Sequence, residues 1–435
     1  MNTAVRTEAK PPLRVIVVGM GVRSMIYSRV ALTNPELLEI VGVVDINERR
    51  REYAQLTFGL DPANCFATVE ELVAVPKFAD AVINGTMDKL HVRTSLPILR
   101  HGYDMLLEKP FAINEEEAAE LLTCARETGR TVMVCHVLRY APYYQRLKQV
   151  VESGEIGRII NIRLSAQVSY FHESVSFVRG KYASAELCGS GMLLTKCSHD
   201  LDLMAWIMGS NTPRRISSVG SMFQFVPENA PANAGTRCLT DCPAERDCPY
   251  SARRLYIESP QRWADNVWHD SNMRRPETDE EKEAFLSAPE NPYGACAYRC
   301  KTDIVDHQSL LIEYQDGATG TFSMTGGSSF SERRIHVIGT KGEIYGTFET
   351  GRFTISTIVP EAPEGRLQHV VDVTEAQANC HHGGGDREVV LDFIAQMRGE
   401  PTSPGKTLLE DSVTGHRIVF LAEKSRLANG AMQDW

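Results

Sequence analysis

The chain has 435 residues, 43% of them apolar and 23% charged, an ordinary globular balance in a length that suits two domains. Its 46 basic and 56 acidic residues leave a net charge of −10, and with no long basic stripe this disfavours nucleic-acid binding. No apolar run approaches the roughly 18 residues needed to span a bilayer, and the first dozen residues lack the apolar stretch of a secretion signal, so a cytoplasmic protein off the membrane is expected.

The run LRVIVVG, residues 13–19, is continuously apolar and ends in glycine, which predicts a strand buried on both faces of a parallel sheet. A helical stretch follows, then LLEIVGVVD, ending at Asp45. The alternation continues through ADAVINGT, YDMLLEKP and TVMVCHV, with amphipathic segments such as NEEEAAELLTCARETG between them. Such alternation predicts right-handed βαβ units and a parallel sheet over residues 1–140.

From 141 to 435 the pattern changes. IINIRLSAQVSY, SSVGSMFQF, SLLIEYQDGATGTFSM, RIHVIGTKGEIYGTF and RFTISTIV read as strands, and the dipeptides Asp316-Gly317 and Lys341-Gly342 suit hairpins. The expectation is an α+β domain with an open, mostly antiparallel sheet. Residues 227–300, rich in Pro, Cys and charge, read as an insertion too polar to form its own core, and 385–398 and 409–428 read as helices.

Between the first strand and helix stands Gly19-Met20-Gly21-Val22-Arg23-Ser24, a G-x-G-x-x-S spacing. Gly19 permits a tight turn, Gly21 lets the backbone approach a pyrophosphate, and Ser24 is small enough for helix-on-strand packing. Asp45, an acidic residue ending the second strand, suits the ribose hydroxyls of NAD and repels a 2′-phosphate. Arg49 and Arg50 nearby leave NADP possible.

These features, with Glu108-Lys109-Pro110 after the fourth strand and a Gly189-Ser190-Gly191…His199-Asp200-Leu201-Asp202 helix, resemble the Gfo/Idh/MocA oxidoreductases. The resemblance implies a Rossmann domain, a second open-sheet domain that often forms oligomer interfaces, and hydride transfer between nicotinamide and a sugar or polyol carbon. A homodimer or homotetramer is therefore expected. Lys109 matches the family's active-site lysine, where an ammonium can stabilise a developing alkoxide, and Pro110 is often cis in this family. His199 matches the catalytic histidine, which can take the hydroxyl proton. Most relatives carry aspartate where this chain has Thr195, so Lys196 is expected to join the site, or Asp200 or Asp202 to hold His199.

The candidate cofactor set also takes in Thr86, His91, Glu108 and His136. His172, Arg179, Asp202 and His382 are candidates for reading substrate hydroxyls, and His136 and Arg139 follow the fifth strand. His382 lies in the run His381-His382 followed by the glycines at 383–385 and Asp386. Cys238-x3-Cys242-x5-Cys248 and Cys296-x3-Cys300 hold five of the eleven cysteines. Thiolates so spaced suit a structural zinc, with an iron–sulfur cluster or free or disulfide-linked thiols as alternatives. Three functions fit: a sugar, glycoside or cyclitol dehydrogenase; a redox-neutral glycosidase or epimerase passing through a 3-keto sugar; or a non-catalytic sugar-binding regulator.

Overall fold

The structure, a computed structural model, describes residues 10–260, 263–269, 276–377 and 381–435. Cys380 lies outside them. The chain forms two compact units, one of residues 1–145 and 375–413, the other of 146–374 and 414–435.

In the first unit six strands make a parallel sheet in the order β3-β2-β1-β4-β5-β6: β1 (Leu13–Val18), β2 (Leu38–Val44), β3 (Cys65–Phe66), β4 (Ala81–Asn84), β5 (Asp104–Leu107) and β6 (Val132–Val134). The apolar runs form these strands because both faces are covered: every residue of β4 and β6 is buried. Strand order reverses between β1 and β4, the switch point outside which such sheets place ligands. β3 is a two-residue strand, too short to leave a hydrophobic pattern, so the lysine motif follows the fifth strand rather than the fourth. The helix Gly385–Arg398 returns to this unit and puts Val389, Val390, Phe393 and Ile394 into the same core as Val15 and Val17. A single boundary near residue 140 does not anticipate that return, because an amphipathic helix carries no mark of which sheet it covers.

The second unit is built on nine strands in the order β14-β13-β12-β11-β7-β10-β9-β8-β15. Their ranges are β7 (Ile159–Ser169), β8 (Pro213–Ser221), β9 (His307–Tyr314), β10 (Thr319–Ser328), β11 (Glu332–Gly339), β12 (Gly342–Thr347), β13 (Arg352–Ile358), β14 (Arg366–Asp372) and β15 (Gln433–Asp434). All neighbours are antiparallel except β7 and β10. The Asp316-Gly317 and Lys341-Gly342 turns close the β9–β10 and β11–β12 hairpins. β14 escapes the sequence pattern because its residues are almost all exposed.

The segment between β8 and β9 does have apolar cores, which corrects the reading of it as too polar to form one. Leu255, Tyr256, Val267 and Trp268 pack in one cluster, and Phe225, Tyr250, Cys296 and Tyr298 in another. Its apolar content is aromatic and unevenly spaced, so no period reveals it. Among the described residues no helix is long and apolar enough to cross a membrane.

Candidate active site

The turn after β1 is shaped for close approach. Gly19 has φ +77°, and a Cβ there would lie 2.8 Å from the Thr86 backbone nitrogen, so glycine is required twice over. Gly21 precedes the helix Val22–Ser28 in extended conformation with no side-chain cap, and a Cβ there would meet nothing within 4 Å. The turn therefore leaves uncapped helix-start amides beside open space, which fits a dinucleotide phosphate. Ser24 is buried, and a Cβ on Gly85 would fall 2.2 Å from its Oγ, so the helix rests directly on the end of β4. The buried Asp45 carboxylate accepts from the Met20 N–H at 2.7 Å and the Asn47 N–H at 2.8 Å. A carboxylate has about four acceptor positions, so capacity for ribose hydroxyls remains. Arg50 stands 3.8 Å from the same carboxylate.

Arg23 does not turn its side chain to a phosphate. Its Nε donates to Glu108 at 2.8 Å and its Nη2 to Asp386 at 2.6 Å, while the Tyr27 hydroxyl donates to Glu108 at 2.7 Å. His382 sits 3.1 Å from Asp386. Burial opposes ionisation of both carboxyls, but Arg23 and Lys109 hold Glu108 below the usual range, and His382 and Arg23 hold Asp386 below it. The second oxygen of Glu108 accepts from the Lys109 N–H at 2.6 Å. Glu108 and Arg23 thus brace the lysine's backbone. His382 belongs to the same brace in the first unit. The glycines beside it serve packing, since a Cβ on Gly385 would lie 1.9 Å from the Val137 carbonyl. Tyr27 and Asp386 were not singled out from sequence; Tyr27's place one helical turn after Arg23 is the signal that could have found it.

Lys109 lies half-buried at the carboxyl end of β5, and its bond to Pro110 is cis. His91 puts Nδ1 2.7 Å from the Pro110 carbonyl and Nε2 3.0 Å from the Thr86 carbonyl. With both ring nitrogens engaged it ties two loops together. Thr86 itself bonds to Asn84 through its hydroxyl at 3.0 Å. Burial, with Arg139 and Lys109 beside it, pushes the His136 imidazole well below its usual value, and Arg139 donates to the Asp411 carbonyl at 3.1 Å.

In the second unit, His199 and Lys196 stand one turn apart on the helix Met192–Met208, His199 buried and Lys196 partly so. The Thr195 hydroxyl pairs with the Ser190 hydroxyl at 2.6 Å. Asp200 accepts from Arg333 Nε at 2.9 Å through one oxygen, and its other oxygen, also buried, has no hydrogen-bond partner among the described residues. Asp202 is 1% exposed and packs against Gly415, where a Cβ would lie 2.8 Å from the Asp202 Cα. His172 stacks on Trp263 at 3.8 Å, and Lys196 lies 5.9 Å from the centre of the same ring. Trp263 went unnoticed in sequence, having no period or motif around it.

Arg179 is corrected from substrate reader to internal anchor. Nε donates to the Ala295 carbonyl, Nη1 to Ser174 and Tyr256, and Nη2 to the Tyr250 carbonyl and the Cys238 sulfur. All five guanidinium protons are used within the protein.

The cysteine segments do come together. Arg237 and Ala295 form an antiparallel bridge, the Cys238 N–H donates to Gly294, and the Cys296 N–H to Thr236. Yet Arg179 donates to the Cys238 sulfur at 3.5 Å, and the Cys300 thiol donates to the Cys296 carbonyl at 3.3 Å. Burial pushes the thiols of Cys248, Cys296 and Cys300 up, with neighbouring thiols adding to it. Among the described residues no three His, Cys, Asp or Glu side chains converge as an ion requires. Cys238, Cys242, Cys248, Cys296 and Cys300 are free thiols here, and this arrangement does not support the expected structural zinc.

Comparison with known proteins agrees with this architecture. Residues 13–136 match the model of the oxidoreductase family with an NAD-binding Rossmann fold, and residues 144–241 match the GFO/IDH/MocA C-terminal domain. The chain belongs to the Gfo/Idh/MocA oxidoreductases. Within that family it is 25% identical to the oxidoreductase YteT of Bacillus subtilis over 386 residues, 82% of each chain. It is 29% identical to inositol 2-dehydrogenase 2 of Saccharopolyspora erythraea over 153 residues, 33% of this chain and 42% of that one. Among solved structures it shares the fold of levoglucosan dehydrogenase in complex with NADH and levoglucosan, with TM-score 0.68, 16% identity and coverage of 97% and 99%. It also shares that of an inositol dehydrogenase homolog from Azotobacter vinelandii in complex with NADH and myo-inositol, with TM-score 0.65, 16% identity and 98% of each chain covered.

Proposed function

We propose that this Gfo/Idh/MocA oxidoreductase is an NAD-dependent dehydrogenase acting at a hydroxyl-bearing carbon of a sugar, glycoside or cyclitol. The observation that carries the reading is the cradle after β1, where open glycine backbone, an uncapped helix start and buried Asp45 match a dinucleotide without a 2′-phosphate. The names of the solved relatives, a levoglucosan dehydrogenase and an inositol dehydrogenase homolog, support the substrate class.

Bound NAD supplies the hydride acceptor. The chain's own part is to hold it by backbone amides after Gly19 and Gly21, with Asp45 accepting from ribose hydroxyls. Lys109, braced through Glu108, places positive charge where an alkoxide develops, and His199 accepts the hydroxyl proton. These two roles rest on the match of each residue to its family motif. A homodimer or homotetramer in the cytoplasm completes the reading.

A panel of sugars, glycosides and inositols with NAD, followed by NADH absorbance and product NMR, tests it. If the folded protein binds neither nicotinamide dinucleotide, the reading is lost. The Thr195–Ser190 pair, standing where relatives carry a carboxylate, keeps a redox-neutral reaction as the second reading. Product formed without net NADH would establish that second one.

A further inference from the structure

Trp263 stands in the segment between β8 and β9, just ahead of the short helix Asp265–His269, and its carbonyl accepts from the Asn266 N–H at 3.1 Å. The indole packs against the cluster that holds Leu255, Tyr256, Val267 and Trp268. His172 lies flat on it, with ring centres 3.8 Å apart and planes 6° from parallel. Two distant stretches of chain are drawn together here by one anchor. Arg179, a short way after His172, donates to the Tyr256 hydroxyl and the Tyr250 carbonyl of the segment that carries Trp263. The imidazole is buried, whereas the indole is only partly so. The protein thus fixes the plane of an aromatic ring and leaves part of that ring open.

What stands beside the ring belongs to the candidate site. The Lys196 ammonium is 5.9 Å from the indole centre, near the outer limit of a cation–π contact, an interaction that uses none of its three N–H donors. His199 follows one turn along the same helix face. A flat apolar surface, a cation and the residue matched to the proton acceptor therefore share one patch of the second unit. A saturated ring with equatorial hydroxyls has the complementary form, with C–H bonds on its faces and hydroxyls around its rim. An open-chain polyol has no such face, and ordering it costs conformational entropy.

We propose that Trp263 is a specificity-determining residue that selects ring substrates: its indole, backed by His172, takes the C–H face of a pyranose or cyclitol whose rim hydroxyls then reach Lys196 and His199. The inference deepens the dehydrogenase reading by setting cyclic polyols above open-chain ones, and it rests on that reading for the choice of a carbohydrate ligand.

Saturation-transfer NMR on the full-length protein loaded with NADH, which cannot accept hydride from an alcohol, reads this contact without turnover. Methyl β-D-glucopyranoside and myo-inositol are the probes, with D-mannitol as the open-chain comparison. In the wild type, the axial protons of one glucoside face should take up more saturation than those of the other. Trp263→Leu should weaken both rings about tenfold, the loss of one aromatic contact, level the two faces and leave NAD affinity unchanged. Trp263→Phe should restore most of the affinity. Where turnover is found, KM should rise by the same factor while kcat falls far less. The wild-type pattern stands as a test even if a variant fails to fold. Equal saturation of both faces, binding of neither ring, mannitol bound as well as the rings, or a folded Trp263→Leu with unchanged affinity each overturns the proposal. Rings bound through Trp263 but never oxidised with NAD would instead count against the dehydrogenase reading.

Discussion

Asp45, Lys109, His199 and His136 each carry a separate consequence. Asp45→Asn removes the charge from a buried acceptor of ribose hydroxyls, so NAD should bind roughly tenfold or more weakly and the bias against NADP should shrink; titration with both dinucleotides measures this. Lys109→Met and His199→Ala should each cut turnover by about 10²–10⁴-fold while leaving NAD affinity intact, because each removes a group acting on the alcohol and not on the dinucleotide. Lost NAD binding in either variant would contradict those roles. His136 bears on stability. Its imidazole is held well below the ordinary value by burial, with Arg139 and Lys109 adding to it. Below about pH 6.5 the unfolded chain therefore takes up a proton that the folded chain refuses, and the stability present above that range drains away as pH falls. Urea unfolding of wild type and His136→Asn between neutral and mildly acidic pH should show the variant losing less.

The strand-to-helix turn after β1 shows how much of the molecule the sequence discloses. Gly19→Ala would force a side chain into a left-handed conformation 2.8 Å from the Thr86 backbone, so a loss of about 2 kcal/mol or more is expected in thermal unfolding, together with weaker NAD binding. That turn was readable because glycine spacing and a flanking apolar run are local signals, as were the β9–β10 and β11–β12 hairpins. Asp45, the lysine motif and the His199 helix were equally visible. What stayed hidden depends on long-range pairing. Nothing near Arg23 says that Asp386 will meet it, and nothing near Arg179 says that Ala295 and Tyr250 will use up its protons. The exposed β14 and the two-residue β3 have no burial pattern to read. The cysteine spacing pointed to metal because spacing cannot reveal a guanidinium among the thiols.

Across the whole molecule, Arg179 pins the segment between β8 and β9 at several points. Arg179→Ala would leave the Ala295 and Tyr250 carbonyls unpaired in the interior, a loss of roughly 3 kcal/mol. Limited proteolysis should then cut first within residues 222–306. The first unit, for its part, is not complete when its last parallel strand is made. Val389, Val390, Phe393 and Ile394, which finish its core, leave the ribosome only after the entire nine-stranded sheet has been synthesised, apart from its final two-residue strand. During that interval the nascent sheet carries a bare apolar flank. Stalled or prematurely terminated products are therefore the forms most exposed to chaperone capture and clumping.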